Sequence, residues 1–242
     1  MSDNRKLPTR EELLQNLRKR AAVRPQPKKI DFDACYQTAR RFWLESDCRR
    51  AFQNSLKASR PKDGWSIDRA VLMAIGNISL AYPGFEYRIV MQLILFQDIV
   101  ETIEADTGTK VDMVVQDPVL NADDTAIFTA LGFEVVQRPR GEQLMCPTTF
   151  AMFAFWGFEW TVLDKPRPVL PGVMVSLPLA HVALNEKDGK PPGEPSKVEL
   201  TAGFYQTTPV CSESSCKYHE GVYLFESLRL SVLKGVEDPT LD

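Results

Sequence analysis

Histidine is nearly missing from this chain: 242 residues hold only His181 and His219. Imidazole is the one side chain that ordinarily titrates near neutral pH, so common acid–base chemistry has few places to sit. Neither histidine stands in a recognisable nucleophile setting. The motifs G-x-S-x-G and H-E-x-x-H and the phosphate-binding P-loop are all missing. So is the full G-x-G-x-x-G fingerprint of dinucleotide binding. Long apolar runs are also lacking. The longest, Phe150 to Phe158, is nine residues and contains Gly157, well short of the roughly 20 that a membrane helix needs. The opening residues MSDNRKLPTR lack the apolar stretch of a secretory signal. Five cysteines, at positions 35, 48, 146, 211 and 216, form an odd set without the spacing of a disulfide framework. Reduced thiols in cytoplasm or nucleus are the expectation.

What is present is ordinary for a globular protein. A 44% hydrophobic share with 25% charged residues suffices for a sizeable core, and 242 residues fit one large domain with extensions. The net charge of −3 gives no bulk attraction for nucleic acid or anionic membrane. That charge is unevenly placed, because residues 1–30 hold nine Lys/Arg against three Asp/Glu. We read 1–30 as a basic arm and linker, and 31–242 as a single α/β domain. In the arm, Thr9-Arg10-Glu11-Glu12 has the form of a capping box that opens a short helix, ended by Arg24-Pro25-Gln26-Pro27. Contact with nucleic acid is expected only through this arm, and membrane contact not at all.

The body alternates strand and helix signals. Asp31 to Ser59 carries Phe32, Cys35, Tyr36, Ala39, Phe42, Trp43, Ala51, Phe52 and Leu56 on one helical stripe. Lys62-Asp63-Gly64 marks a turn, and Ala70 to Ile75 reads as a strand buried on both faces. A long helix over Glu86 to Glu104 follows, then a strand from Val111 to Val115. A helix over Asp123 to Leu131 and a third strand, Phe133 to Val136, complete the series. Short connections between these elements imply a parallel sheet in a Rossmann-like three-layer α/β fold behind a helical N-terminal extension. Further strand-like runs lie at Thr149–Phe155 and Val169–Leu177. Glu186 to Ser196 reads as an exposed loop, and the tail from Gly221 to Gly235 suits helix and strand equally.

Several of these segments together resemble a known family. Val71-Leu72-Met73-Ala74-Ile75-Gly76-Asn77 is a strand running into a glycine turn, and Gln92-Leu93 sits on the helix after it. Val115-Gln116-Asp117-Pro118-Val119 is a strand closing on Asp-Pro, followed by Thr129-Ala130-Leu131-Gly132-Phe133-Glu134-Val135-Val136. Pro147-Thr148-Thr149-Phe150 and Phe158-Glu159-Trp160 continue the pattern. From about Trp65 to Leu177 the chain is similar to the sensitivity-to-red-light-reduced (SRR-like) domain family, in its fungal type. It departs where Ala154-Phe155-Trp156 replaces a Pro or Pro-His pair, and where the first turn has one glycine rather than two. The resemblance implies a Rossmann-like sheet and a regulatory role, in light response and circadian signalling, in transcriptional control, or in haem-linked regulation. It implies a protein partner and carries no agreed reaction.

Open parallel sheets bind ligands beyond the carboxyl ends of their strands. Gly76, Asn77, Asp117 and Pro118 fall at two such ends, and with Gln92 they form the candidate ligand set. In a functional reading Gly76 admits a ligand to backbone N–H groups, and Asp117 accepts from ribose hydroxyls. In a local reading both positions simply serve tight turns. Asp117 lies 41 positions after Gly76, where about 20 is usual for a ribose-binding acid. Cys146-Pro147 is a candidate thiolate ligand for haem, although about 0.35 Cys-Pro pairs are expected by chance from five cysteines and 17 prolines. Cys211, Cys216 and His219 could supply three zinc ligands, but their spacing is looser than structural zinc sites use, so a polar loop is preferred. No catalytic residue, metal site or particular cofactor is assigned.

The expected function is that of a non-catalytic regulatory protein. The competing expectation is a small-molecule enzyme with a nucleotide or S-adenosylmethionine-like cofactor at the strand ends.

Overall fold

The structure, a computed structural model, describes residues 26–81, 86–153, 170–176, 205–210, 217–218, 222–223 and 229–233. The Thr9 box, the 186–196 loop, His181, the Cys211/Cys216/His219 group and the aromatics from Phe155 to Trp160 lie outside the described residues.

A two-residue strand, β1 (Lys28–Lys29), precedes two helices, α1 (Phe32–Glu45) and α2 (Asp47–Ala58). The apolar stripe from 31 to 59 is therefore broken once. The cause is Ser46, whose extended backbone (φ −78°, ψ 147°) cannot continue a helix. Its hydroxyl accepts from the Arg49 N–H at 3.0 Å and donates to the Trp43 carbonyl at 2.7 Å, so it caps the second helix while closing the first. Asp31 starts α1 in the same way, accepting from the Ala34 N–H at 3.1 Å.

The central elements follow: β2 (Arg69–Met73), β3 (Leu80–Ala81), α3 (Glu86–Thr107), β4 (Asp112–Gln116), α4 (Ala122–Ala130), β5 (Glu134–Val135), α5 (Arg140–Gln143), β6 (Thr149–Phe153) and β7 (Val173–Ser176). The last strands are β8 (Tyr205–Pro209), β9 (Lys217–Tyr218), β10 (Val222–Tyr223) and β11 (Arg229–Leu233). In the tail, the described residues 222–223 and 229–233 are strand, so alternation prevails there over helical spacing. The four-residue α5 has no periodic signal in the sequence, being too short to show one.

Seven strands form one sheet in the order β5-β4-β2-β6-β7-β11-β8. Strands β5, β4, β2, β6 and β7 run parallel, and β11 is antiparallel to both β7 and β8. From β2 the chain moves outward through β4 to β5, then returns to the other side of β2 as β6. The order thus reverses at the β2–β6 boundary, the switch point at which doubly wound sheets open a crevice.

Alternation sorts the strand residues onto two faces. Ala70, Leu72, Val115, Phe150, Met152, Val173 and Val175 join the helix residues Val90, Leu93, Phe96, Ile99, Ile103 and Phe128 in one core. The Phe96 and Phe150 rings stack there with centroids 5.2 Å apart. Val71, Met73, Val114, Ala151, Phe153 and Met174 face the other way, against Val136, Leu144, Met145 and Leu170. This is a mixed α/β fold of Rossmann-like three-layer type, with a largely parallel central sheet flanked by the N-terminal helices.

Those helices are fastened to α3 by one buried carboxylate. Asp98 accepts from Trp43 Nε1 (3.1 Å), Arg49 Nη2 (2.9 Å) and Gln53 Nε2 (3.0 Å), one residue from α1 and two from α2. A buried charge is tolerable only when paired and bonded, and here both conditions hold.

Candidate functional site at the carboxyl ends of the strands

The turn after β2 follows from residues that accept left-handed backbone. Gly76 sits at φ 80°, which glycine adopts without steric cost. Ala74 sits at φ 55°, a strained value for a residue with a Cβ. The Ala74 N–H is held by the Gln116 carbonyl at 3.1 Å, so β4 fixes this conformation from the side.

Two buried carboxylates consume the backbone donors of the turn. Asp117 accepts from the Gly76 N–H at 2.7 Å through Oδ2, and from the Val119 N–H at 2.9 Å through Oδ1. The second bond is an Asx-turn, which explains why Asp-Pro closes the strand. Asp124 accepts from the N–H groups of Ile78 (3.0 Å), Ser79 (2.7 Å) and Asn121 (2.8 Å). Asn121 answers by accepting from the Asp124 N–H at 2.9 Å, which completes a capping box at the start of α4. Asn77 donates through Nδ2 to the Val119 carbonyl at 3.0 Å, while its Oδ1 accepts from the Ser79 hydroxyl at 3.3 Å. The Asn121 amide nitrogen reaches the Ser79 hydroxyl at 3.0 Å.

The structure therefore brings Gly76, Asn77, Asp117 and Pro118 together, with Pro118 exposed in the Asp117 turn and Gln92 buried on α3. Anion sites at helix N-termini work by presenting free N–H groups. Here the Gly76, Ile78 and Ser79 donors already meet carboxylates, and Asp123 and Asp124 add negative charge to the first turn of α4. Both Asp117 oxygens, the groups that ribose hydroxyls would require, are engaged within the chain.

Cys146 lies elsewhere. It precedes β6, whose first residue Thr149 pairs with Arg69, the first of β2, so it sits at the amino edge of the sheet while Gly76 and Asp117 sit at the carboxyl edge. The sulfur is 3.2 Å from both the Thr148 and Thr149 hydroxyls. Burial raises its pKa, but hydrogen bonding from Thr148 and Thr149 outweighs that and leaves the thiol below its ordinary value. Among the described residues, no three His, Cys, Asp or Glu side chains are grouped to hold a metal ion, and no helix is long and apolar enough to cross a membrane.

The reading from sequence missed Asp124 and Asn121. Their signal was available: Asn121-Ala122-Asp123-Asp124 has the spacing of a capping box. Asp98 carried no such sign, since a lone acid in a long helix is more often solvated.

Comparison with curated proteins finds no match, and comparison with solved structures finds none either. A match does come from a family model, that of the SRR1 domain, over residues 48–160. It starts and ends earlier than the span of 65–177 suggested by motif resemblance, taking in most of α2. Within it fall β2, β4, β5, β6 and every residue of the Gly76–Asp117–Asp124 network. The chain thus contains an SRR1-domain region, residues 48–160, in which β2 and β4 end at the candidate site.

Proposed function

We propose that this chain is an SRR-like regulatory protein whose Rossmann-like body serves as a scaffold for a protein partner rather than as a catalyst. Signalling, light- or clock-type transcriptional control and haem-linked regulation are the roles the family resemblance suggests, in cytoplasm or nucleus. Assignment to the fungal type of the family belongs with this proposal. The observation that supports it is the closed state of the strand-end loop: the donors and acceptors that a phosphate or ribose would use are bonded to one another. A phosphate that took over the Gly76, Ile78 or Ser79 N–H donors would first have to displace charge-assisted bonds, worth about 1.5–3 kcal/mol each.

A second reading keeps a specific observation in its favour. The strand order reverses between β2 and β6, and the strained Ala74 lies at that boundary, where doubly wound sheets hold cofactors. This fits an enzyme with a nucleotide or S-adenosylmethionine-like cofactor, by analogy of fold alone.

Thermal-shift measurements with ATP, NAD, S-adenosylmethionine and haem separate the two, run on the wild-type chain and on Asp117→Asn. The scaffold reading expects the variant to melt lower and to respond to every compound as the wild type does. Stabilisation by a nucleotide or by S-adenosylmethionine that disappears in Asp117→Asn would establish the enzyme reading instead.

A further inference from the structure

On the sheet face opposite α3, the carboxyl end of β4 carries a second polar group that the loop network does not use. Gln116, the last residue of β4, is 1% exposed. Its Oε1 accepts from the Gly141 N–H at 2.7 Å. That bond fixes which way the amide points, since the reverse orientation would set donor against donor. Its Nε2 is consequently a buried donor, and it has no partner among the described residues.

The residue after Gly141 is Glu142, 4% exposed. Its Oε1 lies 2.9 Å from Arg138 Nε as an ion pair without an aligned hydrogen bond, and its Oε2 has no hydrogen-bond partner among the described residues. Gly141 itself is closed to a larger residue, because a Cβ there would stand 2.9 Å from Gln116 Oε1 and 3.1 Å from its Cδ. One buried donor and one buried acceptor thus belong to neighbouring residues, on an apolar face that includes Val114, Val136, Leu144 and Met145.

Unpaired buried polar groups are rare in folded proteins because each forfeits its hydration without return. A water between them would gain two hydrogen bonds, at the low end of the roughly two to four that buried waters make. We infer that Gln116 and Glu142 form a binding site for a small uncharged molecule with a hydrogen-bond acceptor beside a donor, as on the edge of a nucleobase or a carboxamide. Gln116 Nε2 donates to the acceptor and Glu142 Oε2 accepts from the donor. Arg138 balances the carboxylate, so a net cation is not required. No phosphate group is involved, which separates this site from the loop around Gly76.

The probes are adenosine, cytidine, uridine and nicotinamide, each tested by thermal shift on the full chain. At least one should raise the melting temperature by about 5 °C or more at a concentration a hundredfold above its Kd. The response should vanish in both Gln116→Leu and Glu142→Leu and persist in Asp117→Asn. Gln116→Leu removes an orphan donor but also the acceptor of the Gly141 N–H, so without ligand it should melt lower than the wild type, and its response is read as a shift from its own melting temperature. The inference is overturned if no probe stabilises the wild type, if the response survives in Gln116→Leu, or if a crystal grown with the stabilising probe shows an ordered water only.

Discussion

Removing one charge from Asp124 while keeping its shape provides the sharpest test of how the strand-end loop is held. Asp124 is fully buried, and three backbone N–H groups converge on it, two at Oδ1 and one at Oδ2. Asn in its place offers one acceptor oxygen. The better orientation preserves the bonds from Ile78 and Ser79 and turns the new NH₂ toward the Asn121 N–H. One charge-assisted bond is then lost and one buried donor is orphaned, each worth roughly 1–3 kcal/mol. A net loss of about 2–6 kcal/mol follows for Asp124→Asn. In a chain of this size each kcal/mol shifts the melting temperature by about 2–4 °C, so the fall should be about 4–24 °C. Urea unfolding gives the free energy directly, and an unchanged m-value would show that the loss arises in the folded state. A loss below about 1 kcal/mol would refute the claim that these bonds fix the loop.

Other predictions rest on separate contacts. Asp98→Ala should cost about 2–4 kcal/mol, because the Trp43 and Gln53 donors lose their acceptor and the half-buried Arg49 loses its partner, and faster hydrogen exchange in α1 and α2 would register it. Gly172→Ala should destabilise by about 1–3 kcal/mol in chemical denaturation, since a Cβ there collides with the Pro147 backbone carbonyl rather than with a yielding side chain. Among the described thiols, Cys146 should be alkylated first in the native protein, as followed by mass spectrometry, while buried Cys35 and Cys48 react only on unfolding. Burial pushes the Cys48 thiol up to about 12. The folded chain therefore retains that proton above pH 9 while the unfolded chain releases it, and stability should fall as pH rises from 9 toward 12. Cys48→Ala should flatten that slope, a difference read from urea midpoints across the range.

The sheet was legible because buried parallel strands are written as short apolar runs between turns. Val71 to Met73, Val114–Val115 and Phe150 to Phe153 all appear this way, and each falls in the core expected of it. Ser46 was harder to see. A serine inside an apolar stripe can be solvated in a continuous helix or can cap a new one, and only the packing of α1 against α3 decides between them. The candidate loop was half legible. Gly76 and Asp117 announce turns through local chemistry, but their 41-residue separation hides the bond between them, which depends on β2 and β4 being neighbours. The Gln116–Glu142 pair left no trace in composition or spacing. Its character comes from what fails to reach it, and absence of a partner is a property of three-dimensional packing alone.

The pairing of β1 with β3 has a consequence for the basic N-terminus. Lys28 and Lys29 lie beside Ala81 and Leu80, Ile30 donates to the Ser79 carbonyl at 3.1 Å, and Lys29 meets Asp123 at 2.7 Å. The chain therefore enters the fold at the rim where the strands finish, attached to the segment that Asp124 secures. Tension applied to the N-terminal residues, by whatever grips them, would be felt at β3, Ser79 and the Lys29–Asp123 pair before it reached α1.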